Sequence, residues 1–213
     1  MDKDFGQIVS EAAEVTGKKA GGFLEGLKKN AVLIGIAIVL IIAVIIGLNA
    51  ISAGNVAEKF AKAAILEDHK AMGKYAAFSV EKYCVGDYGD EEEFYEDMSD
   101  EYDEDISSWS DFCKIAREYA QEYLEDFYGD FKLTFEATKV KDMSIKKLSS
   151  ECEYRIEALE ERSDFDIDDY SKAKVVTVKA KIDGDDDKDK GSCDVYLVKD
   201  GITWKVVADD WNW

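Results

Sequence analysis

The chain has 213 residues, 27 basic against 47 acidic side chains, a net charge of -20, four cysteines and no proline. Its 46% apolar and 12% aromatic content is enough for a real core and excludes a disordered chain. So negative a chain also excludes extended contact with nucleic-acid phosphates, because like-charge repulsion must be overcome before counterion release can help.

Residues 1–30 carry five bases and five acids, residues 31–53 carry none, and the whole negative excess follows. The uncharged stretch contains the unbroken apolar run Ala31 to Leu48. At 1.5 Å per residue this run is about 27 Å long, and roughly 34 Å if extended to Ala53, which brackets a bilayer's hydrocarbon core. The expected organisation is a cytoplasmic tail (1–30), a single transmembrane helix in the cell membrane (31–53) and an extracytoplasmic domain (54–213). Lys18, Lys19, Lys28 and Lys29 before the run set this orientation. All four cysteines, Cys84, Cys113, Cys152 and Cys193, lie after the run, which suits an oxidising compartment and makes them candidate disulfide partners. Buried free thiols are the other reading. Among three pairings, Cys84 with Cys113 and Cys152 with Cys193 closes the shortest loops.

In the outer domain, NVAEKFAKAAILED predicts a helix with Asn55 as cap and Val56, Phe60, Ala63 and Ala64 on one face. A second short helix carries Ala71, Met72, Tyr75, Ala76 and Phe78. Twelve of the 19 residues from Asp87 to Asp105 are acids, a density that predicts a solvated acidic loop or irregular helix. Ser108 with Asp111 opens a long helix to Gly129 whose apolar positions, beginning with Trp109 and Phe112, mark it as the cover of the core. Phe131, Leu133, Phe135 and Ala137 then alternate with polar residues as a strand. A helix capped by Ser144 and running to 162 follows, and three strands close the chain, the last two joined at Asp200-Gly201. The expected fold is α+β, a cone with helices packed on a curved, mainly antiparallel sheet.

The helical opening EKFAKAAILEDHKAMGKYAAFS and the closing hairpin CDVYLVKDGITWKVV, with Trp204 turned inward, resemble the nuclear transport factor two-like (cystatin-like cone) superfamily. Anchor and acidic domain together are similar to small membrane-bound or lipoprotein members in Gram-positive bacteria. The resemblance implies a cone that serves either as a ligand-free scaffold or as an isomerase- or dehydratase-type enzyme with an Asp or His base.

No residue set specifies a catalytic centre, a cofactor or a dedicated metal site. His69, the only histidine, lies among charges at a helix junction and is expected to face water. Asp183, Asp185, Asp187 and Asp189 alternate like calcium ligands, but Lys188 stands where such a loop needs glycine, so an acidic hairpin turn is expected. Trp109, Phe112, Tyr119, Phe131, Phe135 and Trp204 are the expected core or pocket lining. The sequence favours a non-enzymatic binding module of the bacterial envelope. Its partners would be the bilayer, through 31–53, and a basic protein, peptide or weakly held divalent cation at the acidic loop. The alternative is a general-base enzyme using a carboxylate inside the cone.

Overall fold

The computed structural model describes residues 52–212; the tail, the apolar run to residue 51 and Trp213 lie outside the described residues. The described residues form an α+β domain: α1 (Ala53–Ile65), α2 (His69–Tyr75), α3 (Val80–Val85), α4 (Glu91–Tyr102), α5 (Trp109–Tyr128), β1 (Phe131–Met143), α6 (Ile145–Glu151), α7 (Glu153–Arg162), a 3-10 turn (Ile167–Asp169), β2 (Ala173–Gly184), β3 (Lys188–Asp200) and β4 (Thr203–Asn212). Among them, no helix is long and apolar enough to cross a membrane.

Helix α1 is capped by Ser52, whose hydroxyl accepts the Asn55 N–H at 3.2 Å, so the cap lies three residues before the Asn55 expected from the sequence. Ser52 and Ala53, the last two residues of the expected span, are thereby the cap and first residue of α1. Val56, Ala57, Phe60 and Ala61 bury one face of α1 against the sheet, and their small size lets the helix lie close to it. The Glu58 carboxylate accepts the Ala137 N–H at 2.7 Å, tying α1 to edge strand β1.

The sheet is an antiparallel meander in the order β1-β2-β3-β4. Alternation gives each strand two faces. Val176 and Val178 of β2, Cys193, Val195 and Leu197 of β3, and Val206 of β4 meet α1. Ala173, Val198, Val207 and Ala208 form a second core under α6 and α7 with Leu148, Ile156 and Leu159. Register shifts between Ala137 and Lys139 and between Tyr196 and Leu197 mark bulges.

Three expectations change. The stretch 145–162 is two helices meeting at Cys152, whose φ of -117° and ψ of 28° interrupt the helical path. The second short helix ends at Tyr75, because Ala76 and Ala77 extend along β4, where the Ala77 N–H donates to the Val206 carbonyl at 2.8 Å; a further helix, α3, follows. Helix α5 is not the main cover of the sheet. That place belongs to α1, while the first half of α5 packs Phe112, Cys113 and Ala116 against α4 in a third, aromatic cluster.

The acidic stretch contains a regular helix, α4, rather than a loop. Asp90 caps it by accepting the Glu93 N–H at 3.0 Å, and the Glu93 carboxylate returns to accept the Gly89 N–H at 3.0 Å. Phe94, only 2% exposed, and Met98 anchor one face against Phe112, while the acids fan outward. Two apolar residues one turn apart suffice because reciprocal capping satisfies the helix start.

Candidate functional site

Helix α5 ends at Gly129, whose φ of +68° lets the chain turn sharply into β1. The β2–β3 turn docks there, since the Asp186 N–H donates to the Tyr128 carbonyl at 3.1 Å. Gly184 is required at this point, because any Cβ would collide with Tyr128. These contacts set the second half of α5 beside the end of the sheet and leave a groove of about 670 Å³ between them, bounded also by the C-terminal ends of α1 and α4.

Aromatic rings dominate its walls. Tyr119, Tyr123 and Phe127 recur every four residues on α5 and are 50%, 63% and 58% exposed. Tyr102 meets Tyr119 edge-on with ring centroids 5.1 Å apart, Tyr123 lies 5.3 Å from Phe127, and Trp211 and Tyr128 complete the wall. Glu67, Glu101 and Asp189 supply carboxylates, and among the described residues no lysine or arginine lines the groove.

Glu67 follows the C-cap of α1 in the left-handed region, φ +48°, a strained setting for a residue with a side chain. The Tyr102 hydroxyl donates to its Oε2 at 3.5 Å. Desolvation raises the Glu67 carboxyl above its ordinary range; the Tyr102 hydrogen bond opposes this and the neighbouring Glu101 adds to it. Burial first, then the charges of Glu67 and Glu101, push the Tyr102 hydroxyl up to about 12. Electron-rich ring faces beside carboxylates form a site that attracts cations and disfavours anions.

Of the six residues expected to line the core, Trp109, Phe135 and Trp204 pack against the α1–sheet cluster. Phe112 is buried in the α4–α5 cluster, Phe131 lines a shallow surface depression, and Tyr119 is in the aromatic groove. Cys84, Cys113, Cys152 and Cys193 are free thiols. Cys84 and Cys113 lie within electrostatic reach of one another, whereas Cys152 and Cys193 belong to different core clusters. His69 departs from expectation: rather than facing water it stacks on Phe112 at 5.0 Å and lies 5.9 Å from Trp109, with Nδ1 buried and unpartnered. Desolvation accordingly lowers its pKa, with Asp68 opposing. In the β2–β3 turn, hydrogen bonds from Lys181 and Lys188 hold the Asp183 carboxyl down at about 2.

Tyr123 and Phe127 continue the three- and four-residue apolar steps of α5 yet stand outside its buried face, and nothing in the sequence marks Glu67. The signal for the rings was present in the spacing. Positions 119, 123 and 127 form their own stripe, separate from the buried stripe of 112, 116 and 124.

A second surface has the opposite charge. On the sheet face turned away from α1, helices α6 and α7 cover only one end. The rest presents Lys132, Lys139 and Lys141 of β1, Lys179 and Lys181 of β2, and Lys188 and Lys190 of β3. A trough of about 560 Å³ runs among Thr134, Lys179, Lys181, Lys190 and Ser192.

The chain matches no protein-family model, no curated protein and no solved structure.

Proposed function

We propose that the protein is a non-enzymatic, single-pass interaction module of a bacterial envelope. In this reading the apolar run from Ala31 to Leu48 anchors it in the cell membrane with the N-terminus in the cytoplasm. The outer domain is a cone of the nuclear transport factor two-like type, and it binds a cationic peptide or basic protein face. The uncharged apolar run and the basic residues before it support the anchor and its orientation. The observation that carries the binding reading is the groove walled by Tyr102, Tyr119, Tyr123 and Phe127, with carboxylates and, among the described residues, no basic side chain in its lining. The acids of α4 extend the same potential outward and would also collect divalent cations weakly.

The general-base enzyme is the second reading. Glu67, with its raised pKa and the Tyr102 hydroxyl beside it, is the carboxylate that favours it. Against a base deep inside the cone, no charged residue is buried among the described residues.

Calorimetric titration of the full-length protein with a lysine-rich peptide and an isosteric glutamate-rich peptide tests the binding reading. The lysine peptide should bind, salt should weaken it, and Tyr123→Ala with Phe127→Ala should reduce affinity about tenfold through lost ring–cation contacts. Equal binding of both peptides, or indifference to the double substitution, would overturn it.

A further inference from the structure

The geometry points to a second copy of this chain as a cationic partner: the acidic face of α4 in one copy docks on the open lysine face of β1–β3 in another. This rests on reading the acidic segment as a binding surface and names what it binds.

Two observations on opposite sides of the contact support it. On α4, Glu92, Glu96 and Asp100 stand one turn apart, as do Glu93, Asp97 and Glu101, and all are exposed. Like charges at that spacing repel along the helix. The acids nearest its C-terminus also oppose the helix dipole. Among the described residues, the only ion pair made by the whole stretch from Asp87 to Asp105 is Asp87 with Arg162 at 2.6 Å. A counter-charged surface is the relief this helix lacks among the described residues.

On the sheet, Lys132, Lys139, Lys141, Lys179 and Lys190 form no side-chain ion pair or hydrogen bond among the described residues, while Lys181 and Lys188 share Asp183. Lysines on an edge strand such as β1 have an ordinary explanation, since they discourage strand-to-strand aggregation. Lys179 and Lys181 are on β2, an inner strand, where that explanation fails. The face also holds acids, Glu136, Asp183, Asp194 and Asp210, of which Asp183 is shared by Lys181 and Lys188 and Asp194 accepts the Thr177 hydroxyl at 2.6 Å; the seven lysines outnumber them.

Dimensions agree. Twelve residues of α4 span about 18 Å, and Lys132 to Lys141 span about 30 Å of strand. Acids one turn apart, about 5–6 Å, face lysines two residues apart, about 7 Å. A helix laid on this face meets lysines from three strands. The two surfaces are different patches, so the contact is head-to-tail and each copy keeps one of each free for the next.

Two differently tagged full-length chains, purified in mild non-ionic detergent, are mixed and one tag is captured. Co-capture of the second tag is expected at low salt and should fall about tenfold at high salt. Reversing the lysine face (Lys179→Glu, Lys181→Glu, Lys190→Glu) or the helix (Glu92→Lys, Glu96→Lys, Asp100→Lys) should abolish self-capture, and both reversals in one chain should restore it. The milder pair Lys179→Gln with Lys190→Gln should weaken it in a chain whose circular dichroism is unchanged. Absence of self-capture by the wild type, or its persistence in either triple reversal, overturns the proposal. So does failure of the double reversal to restore it, or retention of anionic lipid vesicles by the lysine face without self-capture. Lysine-peptide binding, measured on the same preparations, separates the two readings. If it survives while self-capture is absent, only the self-docking falls.

Discussion

The α1–sheet core and the α4–α5 cluster are both made by a helix burying one stripe, yet they reach order by different routes. Along α1 the stripe is alanine, valine and phenylalanine laid across a continuous floor of sheet valines, so the burial is spread over many small contacts. In α4 nearly all the burial is concentrated in Phe94 and Met98, beneath a shell of mutually repelling acids. The sheet core resists the loss of any one contact by sharing. The acidic helix depends on two residues and its cap, so it should open independently of the sheet.

Phe94→Ala is the sharpest way to break this comparison. Emptying a site that is 2% exposed should cost about 3–5 kcal/mol. Hydrogen exchange should show α4 unprotected while β2 and β3 keep their protection. Uniform loss of protection in both regions would show instead that the two clusters form a single cooperative unit.

A smaller effect is expected from the cap. Asp90→Ala removes the acceptor of the Glu93 N–H and should destabilise α4 by about 1 kcal/mol. The corresponding change at Ser52 should cost about the same but appear in the global unfolding transition, since α1 is integral to the sheet core. Chemical denaturation read by α4 exchange and by whole-domain circular dichroism separates the two.

The smallest effect sharpens the boundary between the clusters. His69 is held neutral against Phe112, its pKa below the ordinary 6.5, so the unfolded chain binds more protons at mildly acidic pH. Stability should therefore fall as pH drops below about 6.5 toward the folded-state pKa, and His69→Phe should flatten that part of the profile. An identical thermal melting profile over pH 5 to 7 in both proteins would refute the assignment.

Sequence alone determined much of the scaffold. Period-two alternation marked β1, Asp200-Gly201 marked the turn between the last two strands, and Ser108 with Asp111 marked the start of α5. Local chemistry sufficed there, because alternation, turn conformation and capping act over a few neighbouring residues. Tertiary structure decided the rest. Whether α1 or α5 covers the sheet depends on which helix fits closely against it, and the alanines of α1 do. Whether the acid-rich stretch is loop or helix depended on a receptive surface for Phe94 and Met98, which Phe112 and Ala116 provide. The groove needed most: Tyr102, Tyr119, Glu67 and Asp189 come from four segments far apart in the chain, and only the docking of the β2–β3 turn against the end of α5 gives them a common wall. The stripe of 119, 123 and 127 is legible along α5, but its convergence with Tyr102, Glu67 and Asp189 rests on long-range packing, which leaves no local pattern in the sequence.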